Sequence, residues 1–219
     1  MLMAYLTNGR RRVIRKMMYI KFILYAIIDI LFNIIAYLTN PLVLLFADEV
    51  GNLPAIFRWW ENWDDHLDVS WMIDEHHVPK FAEYDFHKHY KYHTPDEALQ
   101  LIGEYRGYVD LLDGNFTLKE RFQRYVCRIC WLYRNNAYGF SYYVTGITVN
   151  EEDVTKIKTD EVDGYTWYVT DYAFCYKDER PSFGSMYWDN YVGWKFRWFD
   201  QETDRFMLAL RITPFHRGD

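Results

Sequence analysis

Residues 17–46 read MMYIKFILYAIIDILFNIIAYLTNPLVLLF, and Arg10, Arg11, Arg12, Arg15 and Lys16 come just before them. A basic flank leading into an apolar helix is the pattern of a segment that sits in or on a lipid bilayer. The stretch 22–38 would extend about 25 Å at the helical rise, short of the roughly 30 Å hydrocarbon layer, and residues 17–20 close the gap. A cleavable signal peptide is disfavoured, because no small-x-small site follows Phe46 before the acidic Asp48 and Glu49. Against a bare span stands a polar line of Lys21, Tyr25, Asp29 and Asn33 at four-residue spacing. Asp29 at mid-bilayer would cost about 2.5–3.5 kcal/mol on insertion scales. The helix therefore either lies in the interface with that stripe toward water or pairs the stripe with another helix. A helix buried by the rest of the protein is the competing reading. Thr39-Asn40-Pro41 is expected to end the helix, since proline disfavours helical geometry in the residue before it.

If the segment spans, its five leading cations against Arg58 beyond it put the N-terminus in the cytoplasm. Cys127, Cys130 and Cys175 are an odd set with no disulfide framework and fit a reducing compartment better, so orientation stays open. Cys127-x-x-Cys130 has no second such pair, and buried thiols are the simpler reading. Of the 219 residues half are apolar and a fifth aromatic, which argues against disorder; with residues 1–46 set aside, the rest is one domain's worth of chain. A net charge of −6 lacks the positive field that phosphate neutralisation needs, so no nucleic-acid partner is expected.

Residues 47–93 read as a connector rich in Trp and His. Trp59, Trp60 and Trp63, close behind the apolar helix, suit the headgroup zone or a core beneath a loop. Six histidines follow, His66, His76, His77, His87, His89 and His93, among many carboxylates. Imidazole and carboxylate are the ligands of zinc, manganese and non-haem iron, and Asp85, His87, His89 and His93 are the candidate ligands for a divalent metal. The spacing matches no established metal motif, and a solvated loop is the alternative. His-x-His shares a face only on a strand.

Residues 94–219 form the main domain. Thr94-Pro95-Asp96-Glu97 and Thr117 with Glu120 are capping boxes, predicting helices over 94–112 and 117–134 joined by Asp113-Gly114-Asn115 as a helical hairpin over 94–134. On the second helix Phe122, Val126, Ile129 and Tyr133 would face inward. Arg121, Arg124 and Arg128 would then make a basic outer face, solvated or turned to anionic headgroups. From residue 140 the period changes to two, with strands expected at 140–149, 164–176, 186–199 and 206–213 and loops at 151–163 and 177–184. Trp194, Phe196 and Trp198 alternate with charge, as do Phe206, Leu208, Leu210 and Ile212, so the last two strands read as a hairpin. The fold class is α+β: an N-terminal membrane-associated helix and a helical hairpin packed on an antiparallel β-sheet over 140–213.

Asn40-Pro41 after the basic and apolar run, Leu53-Pro54 before Trp59-Trp60, Asp65 with Leu67-Asp68, Trp131-x-x-Arg134-Asn135-x-Ala137-Tyr138-Gly139, and Gly193-Trp194-Lys195 together carry a resemblance. On them the chain resembles a family of uncharacterised tailed-bacteriophage proteins, a domain of unknown function. It departs from that pattern at Asn136 and Val69, where a proline and a glycine are more usual. The resemblance implies a phage origin and a place beside a membrane, but no reaction and no catalytic residues.

The leading expectation is a non-enzymatic protein at the host inner membrane, presenting an aromatic and basic surface to an unknown protein partner, with a homo-oligomer left open. No complete catalytic motif is present, and no cofactor is expected beyond the candidate divalent metal. A metal-dependent hydrolase or nuclease using residues 64–93 is the second reading. A structural virion or assembly component, its apolar N-terminus packed against neighbouring copies, is the third.

Overall fold

Helix α1 (Leu2–Val43) is 42 residues long, about 63 Å at the helical rise. The computed structural model describes residues 2–61, 67–68, 78–103, 107–148, 155–160, 165–169, 173–181, 184, 186–195 and 205–217. The chain divides into two compact units, one of Met1–Ile30 with Ser141–Asp219 and one of Leu31–Phe140. The division falls inside α1, after Ile30, so each unit holds part of the helix.

Pro41 does not end α1. The helix continues to Val43 and closes with a 3-10 turn at Leu44–Phe46. Bonds from distant residues outweigh the local bias of the residue before proline. Asn40, fully buried, donates to Asn136 Oδ1 at 2.9 Å, and the Tyr125 hydroxyl donates to the Pro41 carbonyl at 2.6 Å, satisfying one acceptor that a helix end leaves unpaired.

In the second unit, α2 (Phe86–His89) leads into β1 (Tyr90–His93), and the expected helical hairpin is revised. The Thr94 capping box forms and starts α3 (Pro95–Ile102), but Gly103 then takes a left-handed conformation, φ 72°, and stops the helix. Strand β2 (Tyr108–Leu111) follows, antiparallel to β1, with Val109 fully buried. The period-two alternation of these four residues prevails where a longer helix was expected. The second box, Thr117 with Glu120, opens α4 (Leu118–Arg134) as the spacing predicts.

In place of the expected strand at 140–149 there is α5 (Tyr138–Tyr143) and a two-residue β3 (Ile147–Thr148). The Gly139 and Phe140 amides donate to the carbonyls of Glu61 and Trp59 at 2.8 and 2.9 Å, which supplies the acceptors that first-turn amides lack. A Cβ at 139 would fall inside the Arg58 carbonyl, so this approach requires glycine.

In the first unit the described strands are β3, β4 (Thr155–Asp160), β5 (Tyr165–Val169), β6 (Phe174–Pro181), β7 (Met186–Lys195) and β8 (Arg205–Arg217). They form one antiparallel sheet in the order β3-β8-β7-β6-β5-β4. The expected strand 164–176 is two strands, and the expected loops contribute β4 and the end of β6. The final hairpin holds, with Lys195 opposite Met207 and Trp194 opposite Leu208. Phe196 and Trp198 lie outside the described residues. The inner sheet face packs on α1: Met18, Phe22 and Ala26 meet Phe174, Trp194, Phe206 and Leu208. Trp194 is fully buried, and its Nε1 donates to the Thr145 carbonyl at 3.0 Å. Arg205 donates to the Tyr142, Tyr143 and Gly146 carbonyls, satisfying the end of α5. The α+β class and the antiparallel sheet are therefore as read from the chain.

Candidate membrane interface

Between Met17 and Phe46 every exposed side chain of α1 and its closing turn is apolar or tyrosine, and Leu38 is 76% exposed. The polar residues of the same stretch are sorted the other way. Asp29 is 9% exposed and Asn40 is fully buried, while Lys21, Asn33 and Thr39 are half-buried.

Each inward polar group has a partner within its own unit. In the first unit the Ser141 hydroxyl donates to Asp29 Oδ1 at 2.6 Å, with Thr145 Oγ1 at 3.3 Å from the same oxygen. Lys21 Nζ lies 5.3 Å from the centre of the Tyr25 ring and 5.9 Å from that of Trp194, a cation held over aromatic faces. In the second unit Asn136 Nδ2 donates to the Asn33 carbonyl at 2.8 Å and to its side-chain oxygen at 2.9 Å. The polar stripe thus turns toward neither water nor another membrane helix. The sequence does not single out Ser141 or Thr145, and it marks Asn136 only as a departure from the family pattern; Ser141 and Thr145, four apart, would share a face only once 138–145 is read as helical.

Among the described residues, one helix is long and apolar enough to cross a membrane, Lys16–Phe46, and 17% of its apolar window is buried. A core helix of a water-soluble protein would be mostly buried. Arg10, Arg11, Arg12 and Arg15 lie on α1 before this face, and Lys16 is exposed at its start.

The tryptophans divide. Trp60 is half-buried: its Nε1 donates to Thr39 Oγ1 at 2.8 Å, and its ring meets Phe32 and Phe57 edge-on. Trp59 is 39% exposed and packs edge-on against Phe32 and Phe140. Trp63 lies outside the described residues.

The expected basic face of α4 is not a free surface. Arg128 is buried; its Nε donates to Asp68 Oδ1 at 2.7 Å and its Nη1 to the Asp48 carbonyl at 3.1 Å. Burial alone would pull Arg128 down, but the Asp68 carboxylate holds it above the usual arginine range. Arg124, half-buried, donates to the Tyr90 hydroxyl at 2.9 Å and lies 4.1 Å from the centre of the Phe116 ring. Burial raises Tyr90 to about 12, with the Asp68 carboxylate adding to the shift. Arg121 is exposed and donates to the Phe116 carbonyl at 3.3 Å. The expected inward stripe holds in part: Val126 and Ile129 pack against the cores and Tyr133 is half-buried, but Phe122 is 58% exposed, while Gln123, Cys127, Arg128, Trp131 and Leu132 are buried. An arginine with a carboxylate waiting inside, and Gln123 donating to the Phe81 and Glu83 carbonyls, set the rotation.

The four candidate metal ligands do not converge. Asp85 caps α2, accepting from the Lys88 amide, and His87 is exposed. The buried His89 ring stacks on Phe116, with Nδ1 2.8 Å from the Asp113 carbonyl and Nε2 3.3 Å from Glu120 Oε1. His93 Nε2 lies 2.8 Å from Asp110 Oδ2. His87 and His89 sit on a helical turn, where residues two apart point to nearly opposite sides. Among the described residues no three His, Cys, Asp or Glu side chains come together as a metal site. His66, His76 and His77 lie outside them. None of the three cysteines is in a disulfide; Cys127 donates to the Ala82 carbonyl, and burial raises its thiol to about 12.

No curated protein and no solved structure is significantly similar to the chain. With a family model matching residues 14–219, nearly all of the two units just described, the chain belongs to the family of unknown function DUF7338.

Proposed function

We propose that this is a non-enzymatic, membrane-associated protein, held at a bilayer by the outer face of α1. The observation that carries this reading is the inverted sorting of residues 17–46: greasy side chains outside, polar ones inside and bonded. Water would make that face a large liability, whereas acyl chains remove it from water. The resemblance to tailed-phage proteins makes the host inner membrane the proposed bilayer. The partner reached from there is a protein, and Arg124 and Arg128 do not serve it, being committed to bonds within the fold.

Deleting residues 1–46 would be a poor test, because Met18, Ala26, Phe32, Ala36 and Val43 belong to the cores. The outer face alone is the target. Full-length protein is expected to stay in the membrane pellet through a carbonate wash and to leave it in detergent, while Ile27→Glu with Leu31→Glu shifts at least half of it to the supernatant. A wild-type protein that is soluble after the wash, as a monomer or as a self-associated particle component, would overturn the reading.

A further inference from the structure

We infer that α1 does not cross the bilayer but lies along one leaflet, its outer face among the acyl chains, so that both ends of the helix stand on the same side. This rests on the membrane-association reading and adds the topology to it. A helix that crosses needs about 20 residues that can meet lipid all round. No such stretch exists in α1: Met18, Ala26 and Asp29 are buried within the first unit, and Phe32, Ala36 and Val43 within the second. Crossing would draw into hydrocarbon whatever covers those positions. In the first unit that is the sheet carrying Asp189, Lys195 and Arg211. In the second it includes α4 with Lys119 and Arg134. Charges at that depth are strongly disfavoured.

Length argues the same way. The bare apolar face from Met17 to Phe46 is about 44 Å long at the helical rise, against a hydrocarbon layer of roughly 30 Å. A crossing that hid all of it would need a tilt of about 47°, beyond the roughly 0–40° that membrane helices show. An in-plane helix has no such limit. It also brings the start of the apolar face, where Lys16 is exposed, to headgroup level, and the basic run of residues 10–16 is of the kind that anionic lipids attract.

The test places one thiol before the apolar face and one after it, Asn8→Cys and Glu49→Cys, each in the full chain with Cys130→Ser. Glu49 is exposed, and the bonds made to it run to its carbonyl, which the substitution leaves in place. Right-side-out and inverted vesicles from the expressing bacterium are treated with a membrane-impermeant maleimide, after detergent has shown that both thiols react. The expected result is that both positions label in the same one of the two preparations, with at least tenfold less in the other. Labelling from opposite sides would overturn the in-plane topology while leaving membrane association standing. Protein missing from the vesicles altogether would overturn both.

Discussion

Helix α1 turns Asp29, Asn33 and Asn40 inward and leaves Ile27, Leu31 and Leu38 bare; helix α4 buries Gln123 and Arg128 and leaves Leu118 and Phe122 bare. Both depart from the usual sorting at these positions, and in both the polar side chain is inside because its partner is inside. What differs is the outer face. On α4 the bare apolar residues are Leu118 and Phe122, among Lys119, Arg121 and other polar neighbours, as on many soluble surfaces. On α1 they are continuous over the whole stretch from Met17 to Phe46, with no charge or amide among them. A buried polar group is matched by a partner in the fold, whereas the bare apolar face of α1 is what the proposed bilayer would cover.

The largest effect is expected at Arg128. Arg128→Met leaves the Asp68 carboxylate buried without its cation and is expected to cost about 3–5 kcal/mol in denaturant unfolding in detergent. Adding Asp68→Leu to the same chain should restore most of that loss, because the pair is weakly favourable on balance and expensive only when halved. A single substitution that proves nearly neutral would mean Arg128 does not set the rotation of α4. On α1 the matching change is Asp29→Ala, which takes the acceptor from Ser141 and Thr145; about 1–3 kcal/mol is expected, less than at Arg128 because neutral donors lose less than a buried charge.

The smallest effect sharpens the comparison at the exposed start of α4. Thr117→Ala removes the hydroxyl that caps the helix and should cost about 1 kcal/mol. The Thr117 hydroxyl and amide, with Lys88 and His89, hold the Glu120 carboxyl well below its ordinary 4.5. A carboxyl depressed in the folded state adds stability above its unfolded value and loses it as the pH falls toward the folded one. Unfolding midpoints should therefore be flat above about pH 4.5 and decline below it, less steeply in Thr117→Ala. An unchanged acid slope in that variant would show that the Thr117 hydroxyl is not the chief cause.

Much of the fold could be read directly. Both capping boxes form, the final hairpin pairs as the alternation predicts, and α1 is the long apolar helix of the opening stretch. The failures share a cause. The helix after Thr94 stops at Gly103 because a left-handed glycine ends it and residues 108–111 find a strand partner in 90–93. The apparent strand after residue 138 becomes α5 because Trp59 and Glu61 offer carbonyls to its first amides. The histidine group reads as a site by density alone, yet His89 meets the Asp113 carbonyl and His93 meets Asp110, apart from each other.

Spacing along the chain is enough to place the starts of α3 and α4, the existence of α1, the pairing of β7 with β8, and one segment apolar enough to cross a membrane. These rest on residues within a few positions of one another, whose spacing alone sets the energies. Only the tertiary structure decided which faces of α1 and α4 turn inward and that Pro41 is tolerated within a helix. Asn33 is bonded to Asn136, 103 positions away, and Asp68 to Arg128 at a separation of 60. No local pattern encodes such a partner, because the free energy of burying a polar group depends on what the fold brings to meet it.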